Sequence, residues 1–257
     1  MTAKAPILEF DEDPNAILLP DAKRCFDGKA VVPSVVVICF FQDVLDNLKT
    51  AGDLIHIGNL RSEIGKHPVY RYEKAGMPVT VFHPCVGAPL AAGFLEEMIA
   101  VGVSNFIVCG GCGVINPEID AGHPVILTSA VRDEGTSYHY LPPSREVKPH
   151  PKAVAALEKA FQETGLEYRT GKTWTTDAIY RETPGRRKLR LADGCDVVEM
   201  EAAAFFAVAQ FREVVLGQVV YGGDLVIPEG WDGRGWHKRK DDRKLMFDMA
   251  VNAALLL

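Results

Sequence analysis

From position 35 onward, short runs of apolar and often β-branched residues alternate with stretches in which apolar positions recur every three or four residues. The first run, 35–41, reads Val-Val-Val-Ile-Cys-Phe-Phe without a polar interruption, the pattern of a strand covered on both faces. Similar runs follow at 79–82, 106–109, 125–127, 197–200 and 214–221. Helical spacing occupies 90–101, 153–164, 201–211 and 244–257. Strands alternating with helices of about 10–15 residues predict an α/β fold. The expected form is a single-domain, three-layer α/β/α sandwich around a mixed, largely parallel central sheet. Residues 1–33, with Pro6, Pro14, Pro20 and Pro33 and several Asp, read as an N-terminal arm. No repeat, low-complexity tract or linker divides 34–257, which read as one domain.

In such sheets ligands bind beyond the carboxyl ends of the strands. The segments expected there are 83–89 (His-Pro-Cys-Val-Gly-Ala-Pro), 109–113 (Cys-Gly-Gly-Cys-Gly), Thr175-Thr176-Asp177, Glu199-Met200-Glu201 and Gly222-Gly223-Asp224. Glycine lets backbone approach a ligand closely, although ordinary turns use it too. Two carboxylates beside a buried run, Glu199 and Glu201, are unfavourable unless they are paired or face a ligand. One can cap the helix that follows. A carboxylate at this place can also accept hydrogen bonds from two adjacent hydroxyls, which suits a ribose diol. Asp224 stands at a strand end between glycines and apolar residues, where a raised pKa makes a proton donor. A turn-forming Asp has the same local sequence.

Cys109 and Cys112 have the spacing of a redox pair, but a thioredoxin-type site needs a helix start. Residues 114–117 (Val-Ile-Asn-Pro) read as a loop, and no Gly-x-Gly-x-x-Gly is present, so a dinucleotide enzyme fits poorly. Cys85, Cys109, Cys112 and His83 could gather a soft metal. Small thiols packed behind glycines have the same appearance, and no metal site is assigned.

Composition narrows the partners. With 28 Lys plus Arg against 34 Asp plus Glu, the net charge is −6, which disfavours nucleic acid or an anionic membrane as main partner. No run approaches the roughly 18 apolar residues of a membrane span. The acidic stretch 9–13 stands where a signal peptide would be basic and then apolar. Six irregularly spaced cysteines suggest reduced thiols and a cytoplasmic protein.

Taken together, 198–204 (Val-Glu-Met-Glu-Ala-Ala-Ala), the glycine segment 109–113 and Asp224 resemble the purine nucleoside and uridine phosphorylase superfamily. That group also holds the methylthioadenosine and adenosylhomocysteine nucleosidases. The likeness runs from about residue 35 to the C-terminus and includes 121–125 leading into 129–137, and 176–180 (Thr-Asp-Ala-Ile-Tyr). It implies a nucleoside phosphorylase-like catalytic domain over 34–257, with a small nucleoside as partner. It also implies no cofactor, inorganic phosphate as possible co-substrate, and a homo-oligomer, dimer or hexamer. By the same resemblance Glu201, next to Glu199, holds the ribose hydroxyls and Met200 packs on the sugar. Ile179 replaces a base-stacking Phe, and Asp224 protonates N7 of a purine. His237 or a neighbour supplies a basic group. Gly111 and Cys112 line the site where relatives carry hydroxyls, and Gly87, Gly110 and Gly113 form an anion loop.

The departures concern phosphate. Relatives carry Gly-Asp-Pro-x-Arg after the first strand, whereas this chain has Phe-Phe-Gln-Asp-Val at 40–44. Val108 stands in place of an arginine. The arginine that a neighbouring subunit lends should fall near Gly65, where Arg61, Lys66 and His67 are the nearest cations. Burying a dianion without cations is unfavourable. Hydrolysis, with Asp43 as base on water, is therefore the alternative to phosphorolysis. A nucleoside-binding protein without turnover is a further one.

Overall fold

The apolar runs form the middle of one mixed sheet in the computed structural model, which describes residues 5–21, 25–26 and 31–257. Its strands are β1 (Val35–Cys39), β2 (Leu54–Ser62), β3 (Gly65–Lys74), β4 (Met77–Phe82), β5 (Asn105–Val114), β6 (Pro124–Asp133), β7 (Glu146–Val147), β8 (Arg169–Thr176), β9 (Cys195–Glu199), β10 (Val215–Ile227) and β11 (Gly230–Asp232). The helices are α1 (Gln42–Ala51), α2 (Ala88–Ala100), α3 (Pro151–Thr164), α4 (Pro184–Ala192), α5 (Ala202–Phe211) and α6 (Lys240–Ala254).

The strand order is β11-β10-β6-β8-β9-β5-β1-β4-β3-β2, with β7 beside β6. β1 lies parallel to β4 and β5, and β5 lies parallel to β10. The pairs β6–β10 and β5–β9 are antiparallel. Because β10 pairs with both β6 and β5, strands β10, β6, β8, β9 and β5 close into a ring at one end of the sheet. That closure brings Gly113 opposite Val198 and gathers the ends of β5, β9 and β10.

Period-two alternation explains the layers. In β1, Val36 and Ile38 join one buried cluster while Val37 and Cys39 join the other. The first cluster takes α2 and α5, the second α1, α3 and α6. Helices therefore cover both faces, as the sequence predicts. α5 is apolar around its whole circumference and buried from Ala202 to Ala209, which marks it as an interior helix.

The N-terminal arm is partly built into this core. Residues 1–4, 22–24 and 27–30 lie outside the described residues, but Cys25 and Phe26 are buried in the α2/α5 cluster. Gly58 of β2 makes room for them, since a Cβ there would sit 2.4 Å from the Phe26 ring. Several elements were not expected from the pattern. They are α1, the β2–β3 hairpin, α4, and the extension of β10 to Ile227.

Candidate active site

Glu199 and Glu201 flank the turn from β9 into α5, and the backbone sends them in different directions. Glu199 points inward. Its Oε1 accepts the Thr175 and Thr173 hydroxyls at 2.6 and 3.2 Å, and its Oε2 accepts the amides of Ala202 and Glu201 at 2.7 and 2.8 Å. It is thus the acceptor for two of the free amides at the start of α5, all within the chain. Burial pushes its carboxyl upward, against those four hydrogen bonds.

Glu201 is 5% exposed, and its Oε1 accepts the Gly87 amide at 2.6 Å. Gly87 has φ +100, a conformation that side chains rarely adopt, and it lies just before α2. Burial first and the charge of Glu199 second raise the Glu201 carboxyl to about 8, while the Gly87 N–H works against that rise. The amide that the sequence assigns to an anion loop is therefore engaged by Glu201. Met200, between the two acids, is half-buried.

Asp224 lies within β10, where the register with β5 shifts between Gly222 and Leu225. Its Oδ2 accepts the Trp231 indole N–H at 2.6 Å and lies 3.7 Å from where a Gly113 Cβ would be. A side chain at Gly113 would also meet Val198 at 2.9 Å, so glycine is what lets β9 and Asp224 close over β5. A second acid stands near it. Burial and then the charge of Asp224 raise Glu182 to about 7. Glu182 follows the short turn Ile179–Arg181, where Ile179 is 46% exposed, and precedes α4. Arg187 of α4 fastens this segment to the sheet through the Val226 and Ile115 carbonyls at 2.7 and 2.5 Å. His237 is exposed, its ring edge-on to Trp236, and the cation nearest the Asp224 backbone is Arg234.

At the end of β1, Asp43 is paired with Arg243 of α6 at 3.0 Å. The Arg243 Nε also donates to the Tyr221 hydroxyl at 3.2 Å, and its guanidinium lies over the Trp236 ring at 5.3 Å. Tyr221 in turn covers Gly111, whose Cβ would be 3.4 Å from the ring. Gly110 backs onto Phe40 in the same way, at 3.2 Å. A cation thus stands at the edge of the glycine segment that local sequence shows as lacking one.

A sequence profile of the phosphorylase superfamily matches residues 34–233. The chain belongs to that superfamily. It is 29% identical over 175 residues to guanosine phosphorylase from Halorubrum lacusprofundi, covering 68% of this chain and 73% of the relative. It is 35% identical over 121 residues to uridine phosphorylase from Thermococcus kodakarensis, covering 46% of this chain and 44% of that enzyme. The fold matches purine nucleoside phosphorylase from Toxoplasma gondii, solved with immucillin-H, with a TM-score of 0.75 at 22% identity over 87% of this chain and 90% of that one. AMP nucleosidase from Bacteroides thetaiotaomicron gives 0.71 at 20% identity over 88% of each. These relatives are pentosyl-transferring enzymes, and this superfamily member is one of the class.

Within the superfamily frame the cysteine pair loses its redox reading. Cys109 belongs to the α1/α3/α6 cluster and Cys112 to the α2/α5 cluster, on opposite faces of β5, and no helix begins there. Burial raises both thiols, and the Cys112 Sγ rests 3.2 Å from the Tyr221 carbonyl. Val108 is fully buried in the core. Near Gly65, Arg61 and Lys66 face each other across the exposed end of the β2–β3 hairpin. Among the described residues, no helix is long and apolar enough to cross a membrane.

Proposed function

We propose that this protein cleaves the N-glycosidic bond of a purine nucleoside and transfers the ribosyl group to phosphate. The observation that carries the reading is Glu201, a buried carboxylate with one oxygen on the Gly87 amide. A ribose diol can bridge such a group in its ionised form, its two hydroxyls donating and offsetting the burial that raises the free carboxyl. The C1′–N9 bond breaks through an oxocarbenium-like state, its electrons passing to the base. Asp224, with Glu182 beside it, supplies the proton that lets the purine leave neutral. A phosphate oxygen then bonds to C1′, giving ribose 1-phosphate and free base. Arg243 at the glycine segment supports an anion there, as does similarity to a guanosine phosphorylase.

Hydrolysis is the second reading, and a particular observation favours it. The charge of Arg243 is already met by Asp43, and Val108 offers none. Mass spectrometry of guanosine and uridine reactions, with and without millimolar phosphate, separates the two. Phosphate-dependent release of guanine with ribose 1-phosphate is expected. Release of free ribose, insensitive to phosphate, would establish hydrolysis instead. Bound nucleoside with no product would end both.

A further inference from the structure

Of the six cysteines, five are buried and Cys85 is not. Its Sγ lies 3.2 Å from Nδ1 of His67, and Nε2 of the same ring lies 2.7 Å from the Ser62 Oγ. The Ser62 oxygen also accepts the Ile64 amide at 3.3 Å, and the Phe94 ring packs on the imidazole with centroids 4.8 Å apart. Ser62 and His67 come from the two sides of the β2–β3 hairpin, whereas Cys85 comes from the loop between β4 and α2. A thiol, an imidazole within reach and a third group orienting that imidazole make up an activated nucleophile.

Two further features concern the sulfur itself. Cys85 is held at φ +64, in the left-handed region where a side chain is uncommon. α2 begins three residues later, and the positive end of its dipole favours negative charge developing nearby. Burial alone pushes the Cys85 thiol up, so unassisted sulfur would keep its proton near neutrality. The His67 imidazole lies within reach of that proton.

We infer that Cys85 is a modification site, a thiol activated by His67 toward soft electrophiles and peroxides. With a peroxide, His67 Nδ1 takes the thiol proton while the sulfur electron pair attacks one peroxide oxygen. The O–O bond breaks, and the departing hydroxide takes the proton back and leaves as water. Sulfur is oxidised by two electrons to the sulfenic acid, and the peroxide is reduced. With iodoacetamide, an S–C bond forms as iodide departs, and the proton passes through His67 to solvent.

The test is the iodoacetamide labelling rate of each cysteine in the full-length native protein, read by peptide mass spectrometry. Glutathione in the same tube serves as an ordinary free thiol. Cys85 is expected to label first and faster than glutathione, with the buried five trailing. His67→Gln is expected to slow it on the order of 10²-fold, the scale of a positioned base. After hydrogen peroxide, dimedone should trap a sulfenic acid at Cys85 in the native protein and not in that variant. Labelling of Cys39 and Cys109 reveals unfolding of the variant, in which case the comparison with glutathione decides alone. Cys85 slower than glutathione, or equally fast in a folded His67→Gln, overturns the inference.

Discussion

Glu199 and Glu201 are two residues apart, yet the fold takes up one far more completely than the other. The distinction is one of partners. Glu199 accepts four hydrogen bonds from its own chain, whereas Glu201, almost as buried, has the Gly87 amide on Oε1 and the Met200 backbone beside it. Asp224 and Glu182 form a second pair of neighbouring acids. Because burial and the neighbouring charge bring Glu182 to about 7, it still holds a proton near neutrality, and in the proposed mechanism it keeps the pair able to donate. Asp224→Asn should lower turnover of guanosine by roughly 10²–10⁴ with the fold intact, as checked by steady-state kinetics and circular dichroism. Activity should also fall as pH rises through about 7, and Glu182→Gln should remove that limb. A variant at Asp224 with wild-type turnover takes it out of the chemistry.

At the scale of elements, the turn from β9 into α5 is held by Glu199 and the hydroxyls of β8. Glu199→Gln places an amide NH2 or its oxygen where both Thr hydroxyls and two backbone amides need acceptors. Each buried donor left without one costs about 1–3 kcal/mol, which urea unfolding should detect as a lowered midpoint. The elements legible in the sequence are those whose residues are apolar on every side, such as β1, β5 and α5. The β2–β3 hairpin was not legible, because the buried positions of β2 are Leu54, Gly58 and Leu60, one of them a glycine, and exposed His56 interrupts the alternation between them. α4 was hidden for a related reason, since none of its residues is buried. The buried acids of one motif, Glu199 and Glu201, stand out on local reading. Arg243 does not, because its partner Asp43 is 200 positions away and only the packing of α6 on the sheet joins them.

Across the whole molecule, the closed ring of five strands is what concentrates acids at one place. Glu182, Glu199 and Glu201 all have carboxyls raised by burial, and Glu97 and Glu134 elsewhere share that shift. An acid raised in the folded state binds more protons there than in the unfolded chain, so stability falls as pH climbs from its unfolded to its folded value. For Glu182 and Glu201 that window runs from 4.5 to about 7 and about 8. His83, lowered by burial, acts in the opposite sense only as pH falls below 6.5. Melting temperature should therefore drop between pH 6.5 and 8.5, and Glu201→Gln should flatten the slope, which a thermal scan across that range would show. The central claim is that the strand ends around Glu201 cleave a nucleoside, and base release is its most direct measure. Guanosine should yield free guanine with the wild-type protein in millimolar phosphate. Glu201→Ala should bind it more weakly by about 1.5–3 kcal/mol and release correspondingly less. Equal binding and equal base release by the two proteins would contradict the account.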